Sequence, residues 1–303
     1  MARNQNFYSQ ENMQQSRAKG FVSAMVSSAT FGLIPLFSLP AMKAGILTQS
    51  VLIYRFGIGS IFIVLGMVLM KVSPKITWTQ FWRIAVLAFF SMAGAVTLIY
   101  GYNFMPSGPA TTIQFSYPVF TCLMMMMFFH ERLTWRVAIA IVLAILGVMG
   151  LSGMNPADFH DFSFLGLGIE LMAGLTYAIY LVLVPVLKVD EVESLSLTFW
   201  VFVVSVVYLV IWALLTSGVQ PIPNMEVGVN LMLLALIPTA VSNLTLILGL
   251  RHIGSTMTSI LGALEPLTAM IVGVCVFGEP LTWVIALSFL CIVISVTLLI
   301  LKK

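Results

Sequence analysis

Three charged side chains lie inside long apolar stretches of this sequence, and they are the first residues that could carry chemistry. They are Arg55, Glu170 and Glu265. In a membrane, a charge at the bilayer centre costs about 2.5–3.5 kcal/mol or more unless it is paired or hydrated. A side chain kept at that cost is expected to bind a solute, a proton or another charged group.

Glu265 is followed by Pro266, and this pair predicts a local break in a helix. The proline removes one backbone hydrogen bond and frees a carbonyl group one turn earlier. Counting about 1.5 Å per residue from the ends of the apolar stretch places Glu265 near the midplane. We expect Glu265 to hold a solute or to take up a proton there. A structural Glu, paired with Arg55 or hydrogen-bonded to a neighbouring helix, is the alternative.

Arg55 also has two interpretations. Its planar guanidinium can bind the carboxylate of a solute through two parallel hydrogen bonds. It can instead neutralise Glu170 or Glu265, and the sequence does not choose between these two partners. For Glu170 we expect a gating or structural role specific to this chain's solute. A carboxylate that reaches out to the lipid–water boundary is the alternative for Glu170.

A polar stripe marks the apolar stretch at residues 108–128. Four polar residues there, three or four positions apart, share one face of a helix: Thr111, Gln114, Tyr117 and Thr121. We expect the first three to line a solute cavity, with helix–helix packing by small and hydroxyl residues as the alternative. Tyr177, Asn243 and Gly262 are further candidates for the same cavity.

Ten apolar stretches, separated by short polar segments, carry these residues. The chain is 60% hydrophobic and 8% charged, whereas soluble domains are about 25% charged. Each stretch can cross about 30 Å of hydrocarbon, where only helices satisfy the backbone of a single segment. The predicted spans are residues 20–42, 49–70, 79–103, 108–128, 134–152, 163–187, 196–216, 228–250, 255–277 and 281–301.

The basic residues give these spans a direction. If the N-terminus is cytoplasmic, twelve of the 14 Lys and Arg residues lie on the cytoplasmic side, one lies on the opposite side, and Arg55 lies within a span. This bias follows the positive-inside rule, so we expect both termini in the cytoplasm. Residues 1–19 are expected to form a cytoplasmic tail, because they lack the apolar core of a cleavable signal.

The two halves of the chain repeat each other at an offset of 148 residues. Residues 131–135 (ERLTW) match residues 279–283 (EPLTW), and further pairs at this offset are Pro118 with Pro266, Gln114 with Gly262, and Tyr117 with Glu265. We predict an all-α membrane protein of ten transmembrane helices, built as two inverted five-helix repeats, residues 20–152 and 163–301. Pro118 and Pro266 are expected to serve structure or gating. Inverted repeats can open a shared midplane site to each side in turn.

These motifs resemble the EamA family of the drug/metabolite transporter superfamily. The resemblance rests on residues 54–56 (YRF), on Pro118 followed by residues 131–134 (ERLT), and on residues 264–266 (LEP) followed by 278–282 (GEPLT). It covers about residues 18–301. It implies a carrier of the inner membrane, and many members of the family export amino acids and related metabolites.

No motif in the sequence indicates an enzyme, a metal site or a phosphate-binding loop, and we expect no cofactor. The expected partners are a small-molecule substrate and the lipid bilayer, not nucleic acid, and a homodimer is compatible with the sequence. The predicted function is secondary transport of small metabolites by alternating access, with export of amino acids as the preferred case. The alternatives are an exporter of organic cations or drugs, a nucleotide-sugar-type carrier and, in a different class, a channel or a non-transport membrane protein.

Overall fold

The structure is a computed structural model, and it describes residues 2–104, 107–151, 164–268, 271 and 283–300. These residues form helices and turns, with no strand among them. The helices are α1 (Ala2–Phe31), α2 (Ile34–Lys43), α3 (Thr48–Met70), α4 (Trp78–Gly101), α5 (Ser107–Gln114), α6 (Tyr117–Phe129), α7 (Trp135–Leu151), α8 (Phe164–Val186), α9 (Ser194–Leu215), α10 (Met225–Ala235), α11 (Ser242–Leu261) and α12 (Trp283–Ile300). A π-helical segment, Leu236–Val241, joins α10 to α11, and a 3-10 turn, Val189–Glu191, precedes α9.

The apolar helices confirm a multi-pass helical membrane protein. Within the described ranges, six helical stretches are long and apolar enough to cross a membrane: Gln15–Lys43, Thr48–Met70, Trp78–Gly101, Phe164–Val186, Ser194–Leu215 and Met225–Leu261. Shorter apolar helices cover Tyr117–Phe129, Trp135–Gly150 and Ala286–Leu298. The exact count of ten spans stays a prediction. The second hairpin motif, residues 278–282, lies outside the described residues.

Several predicted spans are not continuous helices. Short breaks occur at residues 32–33, 115–116 and 262–263, shortly before Pro35, Pro118 and Pro266 respectively. A proline has no N–H group, so the carbonyl four residues earlier loses its helical partner. At the third break, the Gly262 carbonyl instead accepts a hydrogen bond from the backbone N–H of Glu265 at 2.9 Å. The sequence predicted a break only at Pro266.

The segment expected to form a cytoplasmic tail is helical, and its location stays a prediction. Helix α1 begins at Ala2 and continues without interruption to Phe31. Its polar part contains four Gln residues, and Gln favours helices. The predicted spans 228–250 and 255–277 are joined through α11, which has a kink at Gly254, where φ is +80°. Only glycine adopts this conformation at little cost.

The helix packing has the pattern expected of two related halves. Helix α3 packs on α9, and α7 packs on α12; each of these pairs joins a helix to its partner in the other repeat. Two other large contacts are α1 with α11 and α4 with α8. The repeat offset relates α1 to α8 and α4 to the first part of α11, so these two contacts are equivalent in the two repeats. At close contacts the helices use glycine, as where Gly249 approaches Ala24. This arrangement brings the broken helices of both halves together at the centre.

Candidate functional site

A central cavity lies where the helix breaks meet. Its space between atoms, open solvent at the mouth included, is about 670 Å³, of which about 50 Å³ can hold the centre of a water-sized molecule. Residues on both sides of the first break line it, as do Gln114 before the second break and Glu265 after the third. Irregular backbone at membrane depth is tolerated where it lines such a cavity. The breaks therefore turn polar backbone and side chains toward one space.

Six of the eight predicted cavity residues line this space: Arg55, Thr111, Gln114, Tyr177, Asn243 and Glu265. The other two, Tyr117 and Gly262, lie directly beneath it against Glu265 and each other. The structure thus brings all eight together, although they come from five predicted spans. Their binding of a substrate stays a prediction.

Tyr117 and Glu265, which the repeat offset relates, are in contact. The Tyr117 hydroxyl donates a hydrogen bond to Oε1 of Glu265 at 3.3 Å. Tyr117 is 1% exposed and Glu265 is 9% exposed. A Cβ atom on Gly262 would overlap the Tyr117 hydroxyl, so only glycine leaves the ring in place. Pro118 and Pro266 begin the helices that carry these two side chains, and both prolines are buried.

Arg55 does not form the ion pair that was one of its two interpretations. It is 3% exposed, and its Nε donates to Oγ1 of Thr239 at 2.8 Å, with Nη2 3.4 Å from the carbonyl of Pro238. Both partners belong to the π-helical segment. In it the Thr239 hydroxyl donates to the carbonyl of Leu234 at 2.7 Å, which lies four residues before Pro238 and receives no N–H from that proline. Neither Glu170 nor Glu265 is bonded to Arg55 in the described part of the chain. A guanidinium has five N–H donors, so donors remain for a ligand in the cavity.

Glu170 lies apart from the cavity lining. It is completely buried at 0% exposure, and a Cβ atom on Gly101 would overlap its Oε1. The carboxylate therefore packs on the backbone at the end of α4. The carboxylate is enclosed by protein, and a gating or structural role for Glu170 stays a prediction.

Aromatic side chains complete the walls. The ring of Tyr177 is edge-on to Tyr117 at 4.8 Å between centroids and to Phe31 at 6.2 Å. Phe31, Phe56 and Tyr102 also line the cavity, and the guanidinium carbon of Arg55 lies 5.5 Å from the Phe56 ring centroid. We did not predict Phe31, Phe56, Tyr102 or Thr239. Phe56 directly follows Arg55 in the YRF motif, and this position could have predicted that Phe56 lines the cavity.

The opposite half of the molecule is closed by direct contacts. Ser255 donates to the carbonyl of Leu181, and Oγ1 of Thr256 donates to Oε2 of Glu131, both at 2.8 Å. The Thr256–Glu131 contact, here called the latch, joins the α6–α7 hairpin of one repeat to α11 of the other. The latch lies two residues after the Gly254 kink. None of the four residues in these two contacts is among those that line the cavity.

Comparisons with known proteins agree with this architecture. A protein of known crystal structure has the same fold, with a TM-score of 0.77 and 12% identity over 93% of this chain and 96% of that chain. At this identity the likeness shows the fold alone. No curated protein matches the sequence. The sequence model of the EamA-like transporter family matches residues 18–153 and again residues 164–301. The chain is therefore a membrane protein that belongs to the EamA-like transporter family.

Proposed function

We propose that this protein is a secondary transporter that exports an amino acid or a related small metabolite across the inner membrane by alternating access. The observation that carries the proposal is the central cavity, which presents Arg55 and Glu265 on its walls without pairing them to each other. A cavity holding one cation and one carboxylate suits a solute that carries both charges.

The chemistry of the two groups fits an amino acid. Arg55 would bind the carboxylate of the solute through donors that Thr239 and Pro238 leave free. Glu265 would bind the ammonium group, because its Oε2 has no part in the Tyr117 contact. The side chain of the solute would lie against Phe31 and Phe56. Gln114 and Asn243 add neutral hydrogen-bonding groups for a polar substituent.

The conformation of the bundle supports alternating access. The cavity is lined by the first part of α3 and the last part of α4, which the positive-inside rule places in the outer half. The latch and the Ser255 contact close the other half. We therefore propose that this is an outward-facing state, with both termini cytoplasmic. Breaking the closing contacts and re-forming their counterparts outside would produce the inward-facing state.

Other classes of solute would need different binding groups in the cavity. An organic cation would need Glu265 and the aromatic walls but not Arg55. A nucleotide sugar would need several basic groups for its diphosphate, and Arg55 is the one basic residue among the described cavity-lining side chains. The amino acid is preferred because it uses both charges.

The test is thermal unfolding of the purified protein in detergent with amino acids, organic cations and nucleotide sugars. A ligand at about 100 times its Kd stabilises a protein by roughly 2.7 kcal/mol. We expect amino acids to stabilise the wild type and to lose this effect in Arg55→Ala and in Glu265→Gln. Gly168→Ala is the matched control, because nothing lies within 4 Å of a Cβ atom there. Stabilisation by nucleotide sugars alone would overturn the proposal.

Transport itself is tested by counterflow in proteoliposomes. A carrier exchanges internal unlabelled solute for external labelled solute and saturates with concentration, whereas a channel does neither. We expect saturable counterflow of the stabilising amino acid. Flux that never saturates and shows no exchange would favour the channel alternative.

A further inference from the structure

Glu170 is a buried carboxylate that the solute site does not use. It lies on α8 at 0% exposure, and neither of its oxygens has a hydrogen-bond partner in the described part of the chain. It does not line the central cavity. We propose that Glu170 is the site at which this transporter binds the proton that couples solute movement to the proton gradient. The inference rests on the proposed transport function.

A bound cation is needed because an isolated ionised carboxylate is costly in such a place. Moving an ionised group out of water without a partner costs several kcal/mol even after the protein relaxes. Among the described residues no ion pair with Glu170 forms, and burial keeps its carboxylate out of water. A carboxylate in this position is stable when a proton or another cation binds to it.

The packing favours a proton over a larger cation. A Cβ atom on Gly101 would overlap Oε1 of Glu170 and would lie 2.7 Å from its Cδ. The carboxylate therefore rests on the α4 backbone, with no room for an ammonium group on that side. No cluster of three or more His, Cys, Asp or Glu residues able to hold a metal occurs in the described ranges. A proton needs neither space nor further ligands.

Tyr102 connects this carboxylate with the cavity. It directly follows Gly101, it lines the cavity, and its buried hydroxyl has no hydrogen-bond partner among the described residues. A hydroxyl in this position can pass a proton between the carboxylate and water in the cavity.

Several other ionisable groups lie on the elements packed on α8. They are Arg83 and Tyr100 on α4, Tyr102 directly after it, Tyr117 and Cys122 on α6, Arg251 and His252 on α11, Glu265 after α11, and Asp190 and Glu191 on the 3-10 turn. Helix α5 carries no ionisable side chain, and Tyr177 and Tyr180 lie on α8 itself. When α4 separates from α8, water reaches Glu170, and the proton passes from its carboxyl oxygen to that water. The ionised carboxylate is then hydrated until the contact with α4 forms again.

The first test needs no substrate. Infrared spectra of the purified protein at neutral pH report the carbonyl stretch of a protonated carboxylic acid. We expect this band in the wild type and in Gly168→Ala, and we expect Glu170→Gln to lose intensity in it. A spectrum of Glu170→Gln with the full wild-type band would overturn the proposal.

The second test is uptake of a labelled mixture of the common amino acids into proteoliposomes under an imposed pH gradient. We expect the gradient to drive accumulation in the wild type and in Gly168→Ala, and this accumulation to be lost in Glu170→Gln. Gly101→Ala, which displaces the carboxylate without removing it, should show the same loss. Accumulation in Glu170→Gln equal to that of the wild type would refute the role of Glu170. Absence of transport in the wild type would instead refute the proposed function, and the infrared band would still decide the state of Glu170.

Discussion

The substitution Gly262→Ala tests whether contact between the two broken helices supports the solute site. A Cβ atom on Gly262 would overlap the hydroxyl of Tyr117 and would lie 2.7 Å from its Cζ. Tyr117 is 1% exposed and its ring is in contact with Tyr177 at 4.8 Å between centroids. The ring therefore has no free space to enter. The added methyl group must push Tyr117 away from Glu265.

The size of the effect follows from two contributions. Overpacking a close-packed interior costs about 1–3 kcal/mol. Loss of the Tyr117–Glu265 hydrogen bond adds about 0.5–1.5 kcal/mol, toward the lower end because the bond is long at 3.3 Å. We therefore expect Gly262→Ala to destabilise the protein by about 1.5–4.5 kcal/mol. Tyr117→Phe removes the hydrogen bond alone and should cost about 0.5–1.5 kcal/mol.

The assay is thermal unfolding in detergent, measured with and without the stabilising amino acid. Gly168→Ala is the control, because that helical position is open and alanine there should be neutral or stabilising by up to about 1 kcal/mol. Gly262→Ala should also bind the amino acid more weakly, by about tenfold for each 1.4 kcal/mol lost at the site. A variant Gly262→Ala that unfolds and binds like Gly168→Ala would refute the packing argument.

Two further substitutions test the closed half and the first helix break. Thr256→Val removes the hydroxyl of the latch and should favour opening on that side. The buried Cys122 lines a small pocket beside the latch. Its labelling by maleimide should therefore become faster in this variant. Thr258→Val is its control, because that hydroxyl bonds only within its own helix, and equal labelling of the two variants would count against the latch. Gly32→Ala would overlap the backbone carbonyl of Glu265, so it should lower thermal stability by about 1–3 kcal/mol; unchanged unfolding would contradict this close approach.

Much of the site could be predicted from the sequence because membrane helices constrain their residues strongly. The spacing of Thr111, Gln114 and Tyr117 placed them on one helix face, and the repeat offset related Tyr117 to Glu265. In an inverted repeat, equivalent positions lie near the same pseudo-symmetry axis. The contact between Tyr117 and Glu265 is what this relation would produce at the midplane.

The partners of the charged residues could not be predicted in this way. Arg55 bonds to Thr239, which is 184 residues away in the chain, through a π-helical turn that has no clear signature in the sequence. Glu170 is buried against Gly101, a residue whose neighbours in the sequence do not mark it as special. Both contacts depend on how neighbouring helices are rotated and tilted.

By itself, the sequence determined that this is a helical membrane protein with two related halves, because lipid requires apolar helices and leaves little freedom for other structure. It also determined that Arg55, Glu170 and Glu265 are costly at their depth and so call for a ligand or a partner. Only the tertiary structure decided where their side chains lie. Glu265 and Arg55 line one cavity, whereas Glu170 packs against Gly101 at the end of α4. The physical reason is that helical periodicity fixes the face on which a residue lies, while packing between helices fixes what that face touches.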